Sequence, residues 1–243
     1  MKVLELFSGT GSIGTMCKKR NWEIISLDKD MPSDINEDIM TWNYKVYPTG
    51  YFDLITASPV CLWWSKIRKS WIGRKIKAHG DNIITLDILN EDINIYGKPM
   101  VDKVREIIKY FNPRYYWIEN PQTGSMKDYI TDLQFYDVDY CKYASWGYQK
   151  RTRFWTNIPN FTPKLCNKDC DSMDTKTRHK TGLNGCGKVV IDGKTIYLDN
   201  KVTRDKYRND IRRKSIKSTT KLERYRIPYK LINDLLDCCI LLP

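Results

Sequence analysis

The chain has 243 residues, with 41 Lys and Arg against 29 Asp and Glu and a formal net charge of +12. This length fits one α/β domain with a small accessory lobe better than two full domains. No segment approaches the ~20 apolar residues that span a bilayer, which argues against a membrane protein. The first residues carry no cleavage site of a signal peptide, so we expect a cytoplasmic or nuclear protein. The positive charge favours a polyanionic partner, with a simple solubility effect as the alternative.

Predicted strands and helices alternate along the first part of the chain. Residues 2–7 form a short apolar run, and a glycine-rich turn and a helix-compatible stretch follow it. Strand, glycine turn and helix in this order are typical of the start of a doubly wound sheet. Further strands are predicted within 22–30 and 51–59. The apolar residues between 98 and 111 recur at helical spacing, so we expect a helix that ends before Pro113.

The second half of the chain changes in character. Residues 115–120 and pieces of 132–157 continue the strand pattern, which implies βαβ units and a mostly parallel sheet. From about Phe161 to Tyr225 polar residues and cysteines dominate, with one predicted hairpin at 188–198 whose Asp-Gly fits a tight turn. We interpret this region as a separate lobe. The remaining stretch reads as an amphipathic helix that packs back on the first domain.

The glycine turn at Phe7–Ser12 is a candidate ligand site, because glycines let a ligand approach the backbone and the helix start offers free amides. Asp28 follows about 20 residues later, where a carboxylate reaches ribose hydroxyls in sheets of this type. Asp38 could accept a hydrogen bond from an adenine amino group. The alternatives are an ordinary turn for Phe7–Ser12, a solvated acid at a strand end for Asp28 and a loop acid for Asp38.

Two reactive side chains follow predicted strands. Cys61 comes two residues after Pro59, and Glu119 ends the strand that begins at residue 115. Ligands and chemistry collect at the carboxyl ends of strands in open α/β sheets, so both side chains should face one cleft. A lone cysteine is more often a small buried hydrophobe. A nucleophile and an acid in one cleft is nevertheless typical of an enzyme.

The chain has eight cysteines and no export signal, so we expect reduced thiols, metal ligands or a nucleophile rather than disulfides. Four side chains of the lobe would form a closed tetrahedral zinc site: Cys166, Cys170, His179 and Cys186. Such a site would stabilise a lobe too small to have a core of its own. Ordinary loop cysteines are the alternative.

Six segments of the sequence, in this order, carry a family resemblance: ELFSGTGS, SLDKD, ASPVCLWWS, WIENP, Gln149–Arg153 and RIPYKLINDLL. They resemble the ordered motifs of the DNA cytosine-5 methyltransferases, in the style of the compact phage and viral members. The resemblance implies a Rossmann-like class I S-adenosylmethionine-dependent methyltransferase fold of the α/β class. It divides the chain into a catalytic domain, residues 1–158 plus 224–243, and a small target-recognition lobe, residues 159–223.

The resemblance also implies a cofactor and its site. S-adenosylmethionine would lie over the glycine turn and the end of the third strand, at Phe7, Gly9, Gly11 and Pro59. Asp28 would bind the ribose, and Asp38 would lie near the adenine.

The implied reaction begins when Cys61 attacks carbon 6 of a flipped-out cytosine and so makes carbon 5 nucleophilic. Glu119 would relieve the charge that develops at N3 of the base. Arg153 would hold the O2 carbonyl, with Arg151 and Gln149 in support. Leu62 stands where the family usually has Gln after the nucleophile, which removes a polar support. Because the other reactive residues are present, we expect an active enzyme.

The implied partner is double-stranded DNA, bound by a monomer. Residues 65–80, directly after the cysteine, hold six Lys and Arg and no acid, and residues 201–226 hold eleven against three acids. We expect the first segment to be a mobile loop that closes on the DNA backbone and the second to contact phosphates. A solvated basic loop is the alternative for the first.

Two other functions remain compatible with the sequence. One branch of this family methylates tRNA, and no feature of the chain excludes RNA. A non-catalytic DNA-binding relative would keep the basic surface but would transfer no methyl group. Methylation of an amino group is disfavoured, because that chemistry uses an Asp/Asn-Pro-Pro-aromatic site and this chain has a thiol there.

Overall fold

A mixed six-stranded sheet organises the chain. The computed structural model describes residues 1–176, 178–180, 188–191, 194–197 and 221–240. The sheet consists of β1 (Lys2–Leu6), β2 (Glu23–Leu27), β3 (Leu54–Ala57), β4 (Tyr115–Pro121), β5 (Phe135–Asp139) and β6 (Arg151–Thr156). Its order is β2-β1-β3-β4-β6-β5. The first four strands are parallel, whereas β6 is antiparallel to both neighbours. The mostly parallel α/β sheet is therefore confirmed.

Helices cover both faces of this sheet. They are α1 (Ser12–Lys19), α2 (Leu86–Asp92), α3 (Lys98–Phe111), α4 (Met126–Tyr129), α5 (Lys221–Tyr225) and α6 (Tyr229–Cys238). The predicted helix before Pro113 is confirmed as α3, which ends at Asn112 with a left-handed φ of 47°. The sequence analysis did not predict α2. Its start has a capping signal, because the Thr85 hydroxyl accepts the N–H of Ile88.

The two faces of the sheet bury separate apolar clusters. One cluster joins α1 and α6, and four of its fully buried members are on α6: Leu231, Ile232, Leu235 and Leu236. The other lies under α3, around Val104, Ile107 and Phe111. Arg20 at the end of α1 binds Asp237 of α6 at 2.7 Å. The expectation that the last stretch packs back on the first domain is confirmed.

The lobe region contains two small antiparallel sheets among the described residues. β7 (Met173–Thr175) pairs with β8 (Arg178–His179), and β9 (Lys188–Ile191) pairs with β10 (Lys194–Tyr197). The predicted hairpin is confirmed, although its Asp-Gly turn lies outside the described residues, as do Cys186 and residues 201–220. The domain boundaries remain a prediction. No helix within the described ranges has the length and apolar character needed to cross a bilayer.

Candidate active site

The glycine turn after β1 has a backbone that ordinary residues avoid. Phe7, Gly9 and Gly11 all have left-handed φ angles, of 59°, 53° and 65°. For Phe7 this conformation costs free energy, which proteins tolerate mainly at functional sites. The buried hydroxyl of Ser8 has no hydrogen-bond partner within the part of the chain that the structure describes. The turn therefore leaves a polar atom and exposed backbone where a ligand could bind.

Asp28 follows β2 and lies against this turn. Its Oδ2 accepts the N–H of Gly9 at 2.8 Å, and its Oδ1 accepts the N–H groups of Asp30 and Met31 at 2.9 and 3.0 Å. A carboxylate can accept about four hydrogen bonds, so these three leave capacity for a ligand hydroxyl. The structure thus brings Asp28 to the glycine turn.

Asp38 lies in the turn after β2. Its Oδ1 accepts the N–H of Met40 at 3.0 Å, and its Oδ2 binds Lys29 Nζ at 3.0 Å. The Met40 amide and the charge of Lys29 lower the pKa of Asp38 below its ordinary value. Because Lys29 adjoins Asp28, this ion pair joins the two segments that carry the aspartates.

A cavity of about 270 Å³ adjoins the first turn of α1. It is lined by Ser12, Tyr143, Ala144, Trp146, Arg226, Ile227, Tyr229 and Lys230. The N–H of Ile227 donates to Ser12 Oγ at 3.4 Å, so the segment before α6 closes one side of the cavity. Ser12, the last residue of the glycine turn, therefore lies at a space bounded by residues 143–146 and by the segment before α6.

The loop after β3 carries Cys61 and is fixed from β4. Asn120 Nδ2 donates to the Pro59 carbonyl at 2.8 Å, and the N–H of Trp64 donates to the Cys61 carbonyl at 3.2 Å. Trp64 is buried, and a Cβ added to Gly97 or Gly124 would lie within about 3.2 Å of its atoms. These close contacts hold the half-buried thiol at the carboxyl end of β3.

Glu119 lies on the neighbouring strand and is held by two side chains. Tyr140 donates its hydroxyl proton to Glu119 Oε1 at 3.0 Å, and Lys150 Nζ lies 3.6 Å from the same oxygen. Lys150 also donates to the carbonyl of Arg224 in α5 at 3.1 Å. Burial raises the pKa of Tyr140 well above its usual range, so this phenol stays a hydrogen-bond donor.

The electrostatic environment joins Cys61 to this pair. Burial raises the pKa of the Cys61 thiol, the positive charges of Lys150 and Arg224 lower it, and the charge of Glu119 raises it. Lys150 therefore acts on the thiol and the carboxylate together. The structure places Cys61, Glu119 and Lys150 at one edge of the sheet, as expected for the first two.

The two predicted arginines lie on β6, which begins directly after Lys150. Arg151 binds Asp139 through two hydrogen bonds of 3.1 and 2.7 Å, and Arg153 binds Asp137 through two of 2.7 and 2.9 Å. Side chains alternate along a strand, so these arginines face away from the side on which Lys150 approaches Glu119. The structure does not bring them into contact with Glu119.

Sequence analysis missed Lys150 and Tyr140. A signal for Lys150 was available in the alternation of side chains along a strand. It places Lys150, which directly precedes β6, on the opposite face from Arg151 and Arg153. Tyr140 lies just past β5, and nothing in its local sequence marked it. Its role depends on the antiparallel pairing of β5 and β6, which a prediction of individual strands does not reveal.

The basic loop after Cys61 is partly folded into the body. Arg68, one of its six cations, is only 2% exposed and contacts the carboxylate of Asp92 at the end of α2. The remaining five are exposed: Lys66, Lys69, Arg74, Lys75 and Lys77. Arg68 is therefore not available to a phosphate, because its guanidinium pairs with a buried carboxylate.

A second group of reactive side chains lies beside β5. The ligand atoms of Cys141, Cys166, Cys170 and His179 all lie within 4.8 Å of one another. Three of these residues were predicted as zinc ligands, and the fourth predicted ligand, Cys186, is outside the described residues. Cys141 was missed because it precedes the others by many residues.

Comparison with known proteins places the chain among methyltransferases. A protein of Frog virus 3 (isolate Goorha) named "Probable DNA (cytosine-5)-methyltransferase" is 37% identical over 243 residues, which cover 98% of this chain and 100% of the viral protein. A solved Entamoeba histolytica methyltransferase aligns over 99% of this chain and 98% of its own, with a TM-score of 0.56 and 12% identity. That likeness supports the fold alone. No family model matches the chain.

Proposed function

Because the chain belongs to the DNA (cytosine-5)-methyltransferase family, we propose that it transfers a methyl group from S-adenosylmethionine to carbon 5 of cytosine in double-stranded DNA. The observation that carries this proposal is the grouping of Cys61, Glu119 and Lys150 at the carboxyl edge of β3 and β4. A thiol, an acid and a cation together are what nucleophilic attack on a pyrimidine requires.

Cys61 supplies the nucleophile. Its thiolate adds to carbon 6 of cytosine, which removes the 5,6 double bond and makes carbon 5 nucleophilic. Once carbon 5 carries the methyl group, loss of its proton restores the double bond and expels the thiolate. The thiolate is the reactive form, and the positive charge of Lys150 favours it by lowering the pKa of Cys61.

Glu119 acts at N3 of the base. Attack at carbon 6 places negative charge on the ring, and a positioned acid stabilises this charge by protonating or hydrogen-bonding N3. The hydroxyl of Tyr140 fixes the carboxyl group, while Lys150 lies 3.6 Å from it. Lys150 therefore supports both the nucleophile and the acid.

Arg153 and Arg151 retain the roles that the family resemblance assigns. Asp137 uses two of the five N–H donors of Arg153, so its guanidinium has donors left for the O2 carbonyl of cytosine. Asp139 orients Arg151 in the same way. Because Arg153 faces away from Glu119 in this structure, we propose that it holds O2 only after its guanidinium turns toward the bound cytosine, and that Arg151 supports the strand that presents it.

The residues at the glycine turn fit S-adenosylmethionine. Gly9 and Gly11 keep the backbone open, Asp28 retains free acceptor capacity, and Ser8 has a buried hydroxyl with no partner among the described residues. Asp28 would bind the ribose hydroxyls, Asp38 the adenine amino group, and Phe7 and Pro59 would pack against the adenosine. When bound, the cofactor supplies an electrophilic methyl group on a sulfonium.

Double-stranded DNA is the substrate that the charge distribution favours. Five exposed cations follow Cys61 within a short loop, and each can neutralise a phosphate. A cytosine inside the duplex cannot reach the thiol, so the enzyme must rotate the base out of the helix at a cost of about a few kcal/mol. We propose that the basic loop holds the backbone while the base occupies the site.

Covalent trapping tests the proposal. Duplex DNA that contains 5-fluorocytosine has no proton to lose at carbon 5, so the wild-type protein with cofactor should form a stable adduct. Cys61→Ala should form none, whereas Cys238→Ala, which changes a thiol on α6, should trap DNA like the wild type. An adduct with Cys61→Ala would refute the assignment. Transfer of a tritiated methyl group from the cofactor to tRNA but not to duplex DNA would instead identify an RNA methyltransferase.

A further inference from the structure

We propose that Cys141, Cys166, Cys170 and His179 bind one structural zinc ion, with Cys141 as the ligand that connects the lobe to the catalytic sheet. These four residues are called the Cys₃His cluster below. Their ligand atoms lie within 4.8 Å of one another. The proposed methyl-transfer mechanism uses none of these four side chains, so the zinc proposal does not depend on it.

The distances within the cluster match tetrahedral zinc. Cys166 Sγ and Cys170 Sγ lie 3.6 and 3.4 Å from His179 Nε2. With Zn–S of about 2.3 Å and Zn–N of about 2.0 Å, tetrahedral geometry places a ligating sulfur about 3.6 Å from a ligating nitrogen. These two separations suit ligands of a single ion, and all four ligand atoms are within 4.8 Å of one another.

The chain around Cys166 is shaped to present sulfur. Lys168 has a left-handed φ of 65°, which turns the chain so that Cys166 and Cys170 face the same point. The N–H of Lys168 donates to Cys166 Sγ at 3.3 Å. An amide that donates to the sulfur stabilises the thiolate form, which is the form that binds metal.

The type of ligand identifies the metal and its role. Three thiolates and one imidazole are the donors that zinc prefers, and four protein ligands leave no position open for a substrate or water. The cluster is therefore a structural site. It would stabilise a region whose described strands, β7 and β8, have only three and two residues.

The cluster lies next to residues of the proposed active site. Asp139 Oδ2 accepts the N–H of Cys166 at 2.8 Å and also binds Arg151. Tyr140, which donates to Glu119, directly precedes Cys141. A metal held by Cys141 would therefore fix the segment that positions Tyr140. This last consequence rests on the proposed function, whereas the zinc site does not.

Metal analysis of the purified full-length protein tests the proposal. Elemental analysis should give about one zinc ion per chain for the wild type. Cys141→Ser and Cys170→Ser should each lower this value to a small fraction, and Cys238→Ser, a thiol outside the cluster, should not change it. With cobalt in place of zinc, the wild type should show the intense visible absorption of a tetrahedral thiolate site, and Cys141→Ser should lose it.

The variant Cys186→Ser decides between the two candidate fourth ligands. It should retain the full zinc content and the cobalt absorption. If Cys186→Ser loses the metal while Cys141→Ser keeps it, the assignment of Cys141 is wrong. If Cys141→Ser does not fold, the metal content of Cys186→Ser alone decides. A folded wild-type protein without metal, or with a disulfide among these cysteines, would overturn the site altogether.

Discussion

Lys150 Nζ lies 3.6 Å from Oε1 of Glu119, and the side chains of the two residues are only 11% and 8% exposed. A charge removed from water in this way is costly to leave unpaired. The same lysine lowers the pKa of Cys61. Lys150 therefore connects the thiol that we propose attacks carbon 6 with the carboxyl group that we propose acts at N3. This arrangement yields a direct prediction for the pH dependence of methyl transfer.

Replacing Lys150 should move the acid limb of the activity profile. In Lys150→Met the pKa of Cys61 rises, because the lysine charge that lowers it is gone, so less thiolate is present at a given pH. We expect kcat/KM near neutral pH to fall about tenfold or more and the rising limb to shift to higher pH. Tritiated methyl transfer across the pH range measures both effects. Lys150→Arg should recover part of the activity, and Lys45→Met, at an exposed surface lysine, should match the wild type. An unshifted limb in Lys150→Met would contradict the role.

Variants of Arg153 and of its partner Asp137 should distinguish a positioning role from direct contact with the base. In Asp137→Asn the guanidinium of Arg153 is still present but loses its ion pair with a carboxylate. We therefore expect a smaller loss of kcat than in Arg153→Ala. If Arg153 holds O2 of cytosine, Arg153→Ala should lose about 2–4 kcal/mol of transition-state stabilisation. Single-turnover methyl transfer at saturating DNA measures this loss. A normal rate for Arg153→Ala would show that Arg153 does not act on the base, with Lys150 then the cation nearest to Glu119.

Glu5 should make the fold less stable as the pH rises. Burial raises the pKa of this carboxyl group on β1 from 4.5 to about 8, with the N–H of Gly14 as an opposing influence. Below pH 4.5 the group is protonated in both states. Between these two values the unfolded chain loses the proton and the folded chain keeps it, so the free energy of unfolding falls.

Glu5→Gln removes this titration. Its free energy of unfolding should decline less between pH 5 and 8 than that of the wild type, with a difference on the order of a few kcal/mol. Urea denaturation at several pH values measures the difference. Glu23→Gln, which changes an exposed carboxylate on β2, serves as the matched control. Parallel pH curves for wild type and Glu5→Gln would show that Glu5 is not buried as a neutral acid.

The cations of the loop after Cys61 should fall into two classes. Arg68→Met leaves the buried Asp92 carboxylate with only His79 Nε2, 3.5 Å away, beside it in the described structure, and should lower the free energy of unfolding by about 3–5 kcal/mol. Lys69→Met changes an exposed neighbour and should leave stability unchanged. It should instead reduce the slope of log K against log salt for DNA binding by about one. Urea denaturation and fluorescence anisotropy at several salt concentrations measure the two effects. Equal effects of both variants on stability would contradict the separation.

The sequence was most informative where local pattern determines structure. The apolar spacing of α3 and the strand, glycine turn and helix around Gly9 were predicted, because periodicity and turn chemistry are properties of neighbouring residues. The burial of Arg68 was not predicted, since it depends on Asp92, which lies on a helix that was not predicted. Lys150 and Cys141 were missed for a similar reason: their partners come from strands or loops distant in the chain.

The hydrogen bond from Lys150 to the Arg224 carbonyl joins two positions that are 74 residues apart in the chain. α5 therefore lies beside the residue that directly precedes β6. A segment with adjacent ends can gain, lose or exchange residues without separating the groups on either side of it. We therefore expect changes of length between β6 and α5 to leave the positions of Cys61 and Glu119 unchanged.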